Sequence, residues 1–60
     1  MHAWEKILEI VYRELGESVG KVFMDFYNGF PINEQYTGAV ELLSKTLGPE
    51  AAKELLKDVI

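Results

Sequence analysis

An all-α fold, one long N-terminal helix followed by two shorter ones, is predicted by three features of this 60-residue sequence. Apolar residues recur at Trp4, Leu8, Val11, Leu15, Val19, Val22, Phe26 and Phe30, which is the 3.6-residue period of an amphipathic helix. Charged residues at Glu5, Glu9, Arg13, Glu17, Lys21 and Asp25 repeat every four along the same stretch. Two sharp stop signals follow, Asn28-Gly29-Phe30-Pro31 and Gly48-Pro49.

The first helix is expected to run from about residue 3 to 28, although Gly16 and Gly20 lie inside it. The apolar stripe crosses both glycines without a slip of phase, and Glu17 and Lys21 form an acid-before-base pair that spans Gly20. A break would need a cap. The alternatives are a kink at either glycine and a true break with Gly16 as a left-handed C-terminal residue and Ser18 as the next cap, but three residues after Ser18 stands Lys21 and not the Glu or Gln of a capping box. A lysine in a first turn also opposes the helix dipole. Two interior glycines cost about 1 kcal/mol each against alanine, which a packed face can offset.

After Gly29, in left-handed geometry, Phe30 is expected to fold back on Met24 while Pro31 ends the helix. Asn33 is the expected cap of a second helix, about 34–47, burying Tyr36, Ala39, Val40, Leu43 and Leu47. Pro49 opens a third, about 49–59, with Glu50 at the positive end of its dipole and Ala52, Leu55, Leu56, Val59 and Ile60 as its apolar positions. A helix this short does not hold alone in water, so it must dock. The two short helices are expected to lie antiparallel because their connection is short. The whole chain, 1–60, reads as one domain without repeat or linker.

Length then suggests a partner. A 26-residue helix is about 40 Å long, whereas a compact 60-residue globule is about 27 Å across. Such a helix overshoots its own domain, and its apolar surface has two flanks, Ile7 and Ile10 on one side and Tyr12, Phe23 and Tyr27 on the other. The row Tyr12, Gly16, Gly20, Phe23, Tyr27 forms a small-residue notch between aromatics and is the expected interface of a homodimeric helical bundle. The alternative is that the notch receives the chain's own third helix. A second candidate surface, for another protein, is the aromatic end of the bundle: Tyr27, Phe30, Asn33, Glu34 and Tyr36.

Composition narrows the chemistry. With no cysteine, disulfides and thiolate metal sites are excluded, and one histidine, His2, cannot supply a triad for Ser18 or Ser44. Carboxylate pairs one turn apart, Glu5 with Glu9 and Glu50 with Glu54, have the spacing of any solvated helix face. No catalytic residue, cofactor or metal site is expected. The net charge of -4 argues against a phosphate-neutralising partner. No run reaches the roughly 18 apolar residues of a membrane span, and no signal peptide is visible, so a soluble, cytoplasmic protein is expected. The expected function is a small non-enzymatic interaction or regulatory module acting as a homodimer. Two alternatives stand beside it. One is a DNA-binding regulator using the helix-turn-helix-like segment 43–59 with Lys45, Lys53 and Lys57; the other is a binder of a small apolar ligand between helices, marked by a cavity at Phe23, Phe26 and Leu43.

Overall fold

The computed structural model describes residues 3–59 and is all-helical, with four helices: α1 (Ala3–Leu15), α2 (Glu17–Tyr27), α3 (Ile32–Leu47) and α4 (Pro49–Leu56). His2 and Ile60, singled out in the sequence, lie outside the described residues.

The long first helix is two helices hinged on one residue. Gly16 has φ 94 and ψ 169, a region open to glycine and to almost nothing else. Its N–H donates to the Tyr12 carbonyl at 2.9 Å, and its own carbonyl accepts the Gly20 N–H at 3.0 Å. One hydrogen-bond ladder therefore ends and the next begins on the same residue, with no linker between them. This explains why the periodicity misleads. A one-residue hinge turns the chain in space and leaves the sequence phase untouched. The Glu17 and Lys21 spacing falls wholly inside α2, so it too is compatible with the break.

What holds the bend is packing between the two arms. The Tyr12 ring lies against Gly20, and the Trp4 and Phe23 rings are 5.8 Å apart, tilted by 32°. Folded this way the chain has a radius of gyration of 10.1 Å and extents of 26 × 25 × 17 Å. A straight helix of about 40 Å does not fit inside those dimensions, so the overshoot argument for a partner no longer applies.

The α3–α4 connection repeats the device. Gly48 has φ 98 and ψ 152, donates to the Ser44 carbonyl at 2.9 Å and accepts from Ala52 at 3.1 Å. Pro49 and Glu50 occupy the first turn of α4, as expected. The middle connection differs from the expectation by a few residues. Gly29 is left-handed at φ 87, but α3 already begins at Ile32 behind Pro31, whose carbonyl accepts the Glu34 and Gln35 amides at 3.0 Å each. Asn33 sits in the first turn and not at the cap; its carbonyl accepts the Thr37 hydroxyl at 2.9 Å. α4 stops at Leu56, and a turn continues through Val59.

The core gathers side chains from all four helices: Ile7, Ile10 and Val11 of α1, Phe23 of α2, Ala39 and Leu43 of α3, Ala52 and Leu56 of α4. Each large aliphatic side chain buried here contributes about 1.5–3 kcal/mol. α1 packs mainly against α2 and α3, and more lightly against α4. The eight residues of α4 hold their helix because Ala52 and Leu56 are fully buried. Of the expected buried side of α3, Ala39 and Leu43 are fully buried, Tyr36 and Val40 are half-buried, and Leu47 is exposed.

Candidate functional site

The bend at Gly16 decides which side of α2 faces inward. Gly20 and Phe23 are buried, and Tyr12 and Tyr27 are half-buried against them, so four of the five residues expected at a dimer interface pack within the chain; Gly16 itself is exposed at the corner. Within the chain the notch at Gly20 is occupied by Tyr12 of α1 and not by α4. Turned outward instead is the part of the apolar stripe at Val19, Val22 and Phe26, with Val22 at 69% and Phe26 at 64% exposure.

This outward stripe borders an open groove of about 290 Å³ between α2 and α3. Phe23 and Leu42 line its floor beside Val22 and Phe26, and Glu41 and Lys45 of α3, one turn apart, stand at its rim. A neighbouring hollow of about 310 Å³ is bordered by Tyr27, Phe30, Asn33 and Glu34, which brings together four of the five residues expected at the aromatic end. Tyr36 is not among them: it is half-buried and packs against the core.

Tyr27 belongs to both hollows. Its ring lies on the bare Cα of Gly38, and its carbonyl accepts a hydrogen bond from Gln35 Nε2 at 3.0 Å. Gln35, only 5% exposed, thereby fixes the α2–α3 turn with its single buried amide. Around Tyr27 the rings form a continuous cluster: Phe23 at 4.9 Å, Phe26 edge-on at 4.9 Å, and Phe30 edge-on at 5.2 Å. Phe30 packs on Phe26 and Tyr27, its ring continuing the α2 aromatic column. Gly38 was legible only indirectly, as a glycine that costs its helix about 1 kcal/mol unless something approaches closely.

Elsewhere the charged groups lie on solvated faces. Arg13 pairs with Glu14 at 3.2 Å and Lys57 with Glu54 at 2.8 Å, both exposed. Among the described residues no three carboxylate or histidine side chains converge on one point. Segment 43–59 is two helices joined by Gly48 alone, shorter than the three- or four-residue turn of a helix-turn-helix. Among the described residues no helix is long and apolar enough to cross a membrane. Compared with protein-family models, curated proteins and solved structures, the chain matches none.

Proposed function

We propose that the chain is a small non-enzymatic protein–protein interaction module that acts as a homodimer and presents the outward face of α2 to a protein partner. One observation carries this reading: Val19, Val22 and Phe26 form an apolar strip beside a groove, and Val22 and Phe26 are the most exposed of the large apolar side chains among the described residues. Exposed strips of this kind, edged by a few charges, mark interaction surfaces. Spacing of three and four residues suits an amphipathic helix laid into the groove, with Glu41 and Lys45 to set its orientation.

A second reading has the groove itself in its favour. Phe23 and Phe26 line it, together with Leu42 in place of the expected Leu43, which fits a small apolar ligand. Its volume of about 290 Å³ lies at the lower edge of ligand pockets, about 300–1,000 Å³, and its mouth is wide, which favours a side-chain anchor over an enclosed ligand. DNA binding through 43–59 has less support, since Lys57 is already engaged by Glu54.

Val22→Glu tests the proposal. Proteins captured from a cell extract by the wild-type chain and lost with Val22→Glu, at unchanged circular dichroism, support docking at α2; equal capture by both chains refutes it. Sedimentation across a concentration series tests the dimer, and a stable monomer at every concentration refutes that part. Tyr27→Ala is the poorer probe, because Tyr27 supports the fold at Gly38.

A further inference from the structure

We propose that two copies of this chain assemble by exchanging α1, with Gly16 opening so that α1 and α2 become one straight helix. Three observations converge on this arrangement, and none depends on docking at the outward face of α2. First, the helical period keeps its phase across the corner, so a straight helix would carry Tyr12, Gly16, Gly20 and Phe23, spaced four, four and three apart, in one row along a single face. Second, the hinge is a single residue held in a glycine-only conformation, and α2 starts on it with no side-chain cap. Straightening supplies the first-turn amides of α2 with the carbonyls of the last turn of α1. Short hinges of this kind favour exchange of an element between identical chains.

The third observation is a symmetry. Tyr12 and Gly20 each stand four residues from Gly16. Two straight helices crossing antiparallel at Gly16 therefore set each Tyr12 ring on the partner copy's Gly20, and bring the two Gly16 backbones together where no side chain intervenes. The closed chain already contains the Tyr12–Gly20 contact; exchange transfers it, and the Trp4–Phe23 contact, from within one chain to between two. In this dimer Tyr12, Gly16, Gly20 and Phe23 of the expected row become an interface between copies, whereas Tyr27 keeps its contacts with Gly38 and Gln35 of its own chain. The outward strip at Val22 takes no part.

The test uses chirality at position 16. A Cβ there meets nothing within 4 Å, so only the backbone is at stake. L-alanine is strained at positive φ and favours a helix interior over glycine by roughly fivefold, whereas D-alanine favours positive φ. The full 60-residue chain is short enough for chemical synthesis with either. In sedimentation equilibrium Gly16→Ala is expected to lower the dimer dissociation constant at least tenfold, and D-alanine at the same position to raise it at least tenfold. Equal or same-direction shifts by the two alanines overturn the proposal. The hinge is read directly by spin labels on Glu5→Cys and Asp25→Cys in one chain, diluted into an excess of unlabelled Gly16→Ala chain. A separation of about 30 Å, 20 residues at 1.5 Å, is expected in the dimer, and a shorter distance unchanged from the monomer overturns the exchange. Val22→Glu added to Gly16→Ala leaves the dimer intact; loss of the dimer instead overturns the exchange and leaves docking at the α2 face standing.

Discussion

The ring of Tyr12 occupies the space where a side chain on Gly20 would begin: a Cβ there would stand 2.6 Å from Tyr12 Cδ1 and 2.7 Å from Cγ. Gly20→Ala therefore sets two terms against each other. Helix propensity gains about 1 kcal/mol, and overpacking against a ring held by the α1–α2 corner costs about 1–3 kcal/mol. A net loss of about 1 kcal/mol is expected, a fall in Tm of roughly 4–8 °C for a chain of this size. Combining it with Tyr12→Ala should recover part of that loss in a double-mutant cycle. A rise in Tm on Gly20→Ala alone would show that the ring does not lie there.

Two of the four helices, α3 and α4, could be read to within a few residues because their ends carry local chemistry: Gly29 with Pro31, and Gly48 with Pro49. Gly16 carries none of these companions. It has no proline after it, no side-chain cap and no shift of phase, so apart from the glycine itself the local signals describe the straight helix. What bends it is tertiary, the fit of Tyr12 on Gly20 and Trp4 on Phe23, between residues 8 and 19 positions apart. The candidate site divides in the same way. The hollow beside Tyr27, Phe30, Asn33 and Glu34 spans one turn and was legible, whereas the exposure of Val22 and Phe26 depends on the direction α2 takes after the bend.

Gly38 repeats the Tyr12–Gly20 arrangement with less room. A Cβ on it would overlap the Tyr27 ring at Cζ and the hydroxyl oxygen. That ring is also fixed from the side by Phe23, Phe26 and Phe30. Gly38→Ala is expected to cost about 2–3 kcal/mol, the upper part of the overpacking range, and to shift the near-ultraviolet dichroism of the tyrosines. An unchanged denaturation midpoint would refute the contact.

Leu56→Ala asks whether α4 is part of the cooperative unit. Leu56 is fully buried with Ile7, Val11 and Leu43, and truncating a buried leucine costs about 2–5 kcal/mol. A 60-residue chain has about 3–9 kcal/mol in total at 0.05–0.15 kcal/mol per residue. Most of the chain should therefore lose its helical dichroism together at 37 °C. If only the signal of an eight-residue helix is lost, α4 is an appendage and the core is smaller than described.

Gly48→Ala isolates the cost of the corner geometry where exchange of α1 has no bearing. Nothing stands within 4 Å of its Cβ position, so the effect comes only from φ 98. An L-residue there is expected to lose about 1–3 kcal/mol. D-alanine should instead stabilise by about 0.4–1 kcal/mol, through the unfolded chain. Urea denaturation separates the two; equal midpoints for L- and D-alanine would mean that the corner relaxes freely.

Val22 and Phe23 are adjacent in sequence and opposite in environment, one at 69% exposure and the other at 4%. The orientation of α2 rests on that contrast, and a pair of substitutions reads it directly. Phe23→Ala removes a ring packed between Trp4 and Tyr27 and is expected to cost about 3–5 kcal/mol. Val22→Glu replaces a solvated apolar side chain on a helix surface by a good helix former, so its effect on stability should stay within about 0.5 kcal/mol. It should also lower binding of an apolar fluorescent dye, because the strip that Val22 shares with Val19 and Phe26 is interrupted. A straight first helix in an isolated chain predicts otherwise, since the stripe containing Val22 is then the one directed at the core and Val22→Glu becomes the damaging change. The two stabilities, measured side by side in urea, therefore decide which face of α2 is inside.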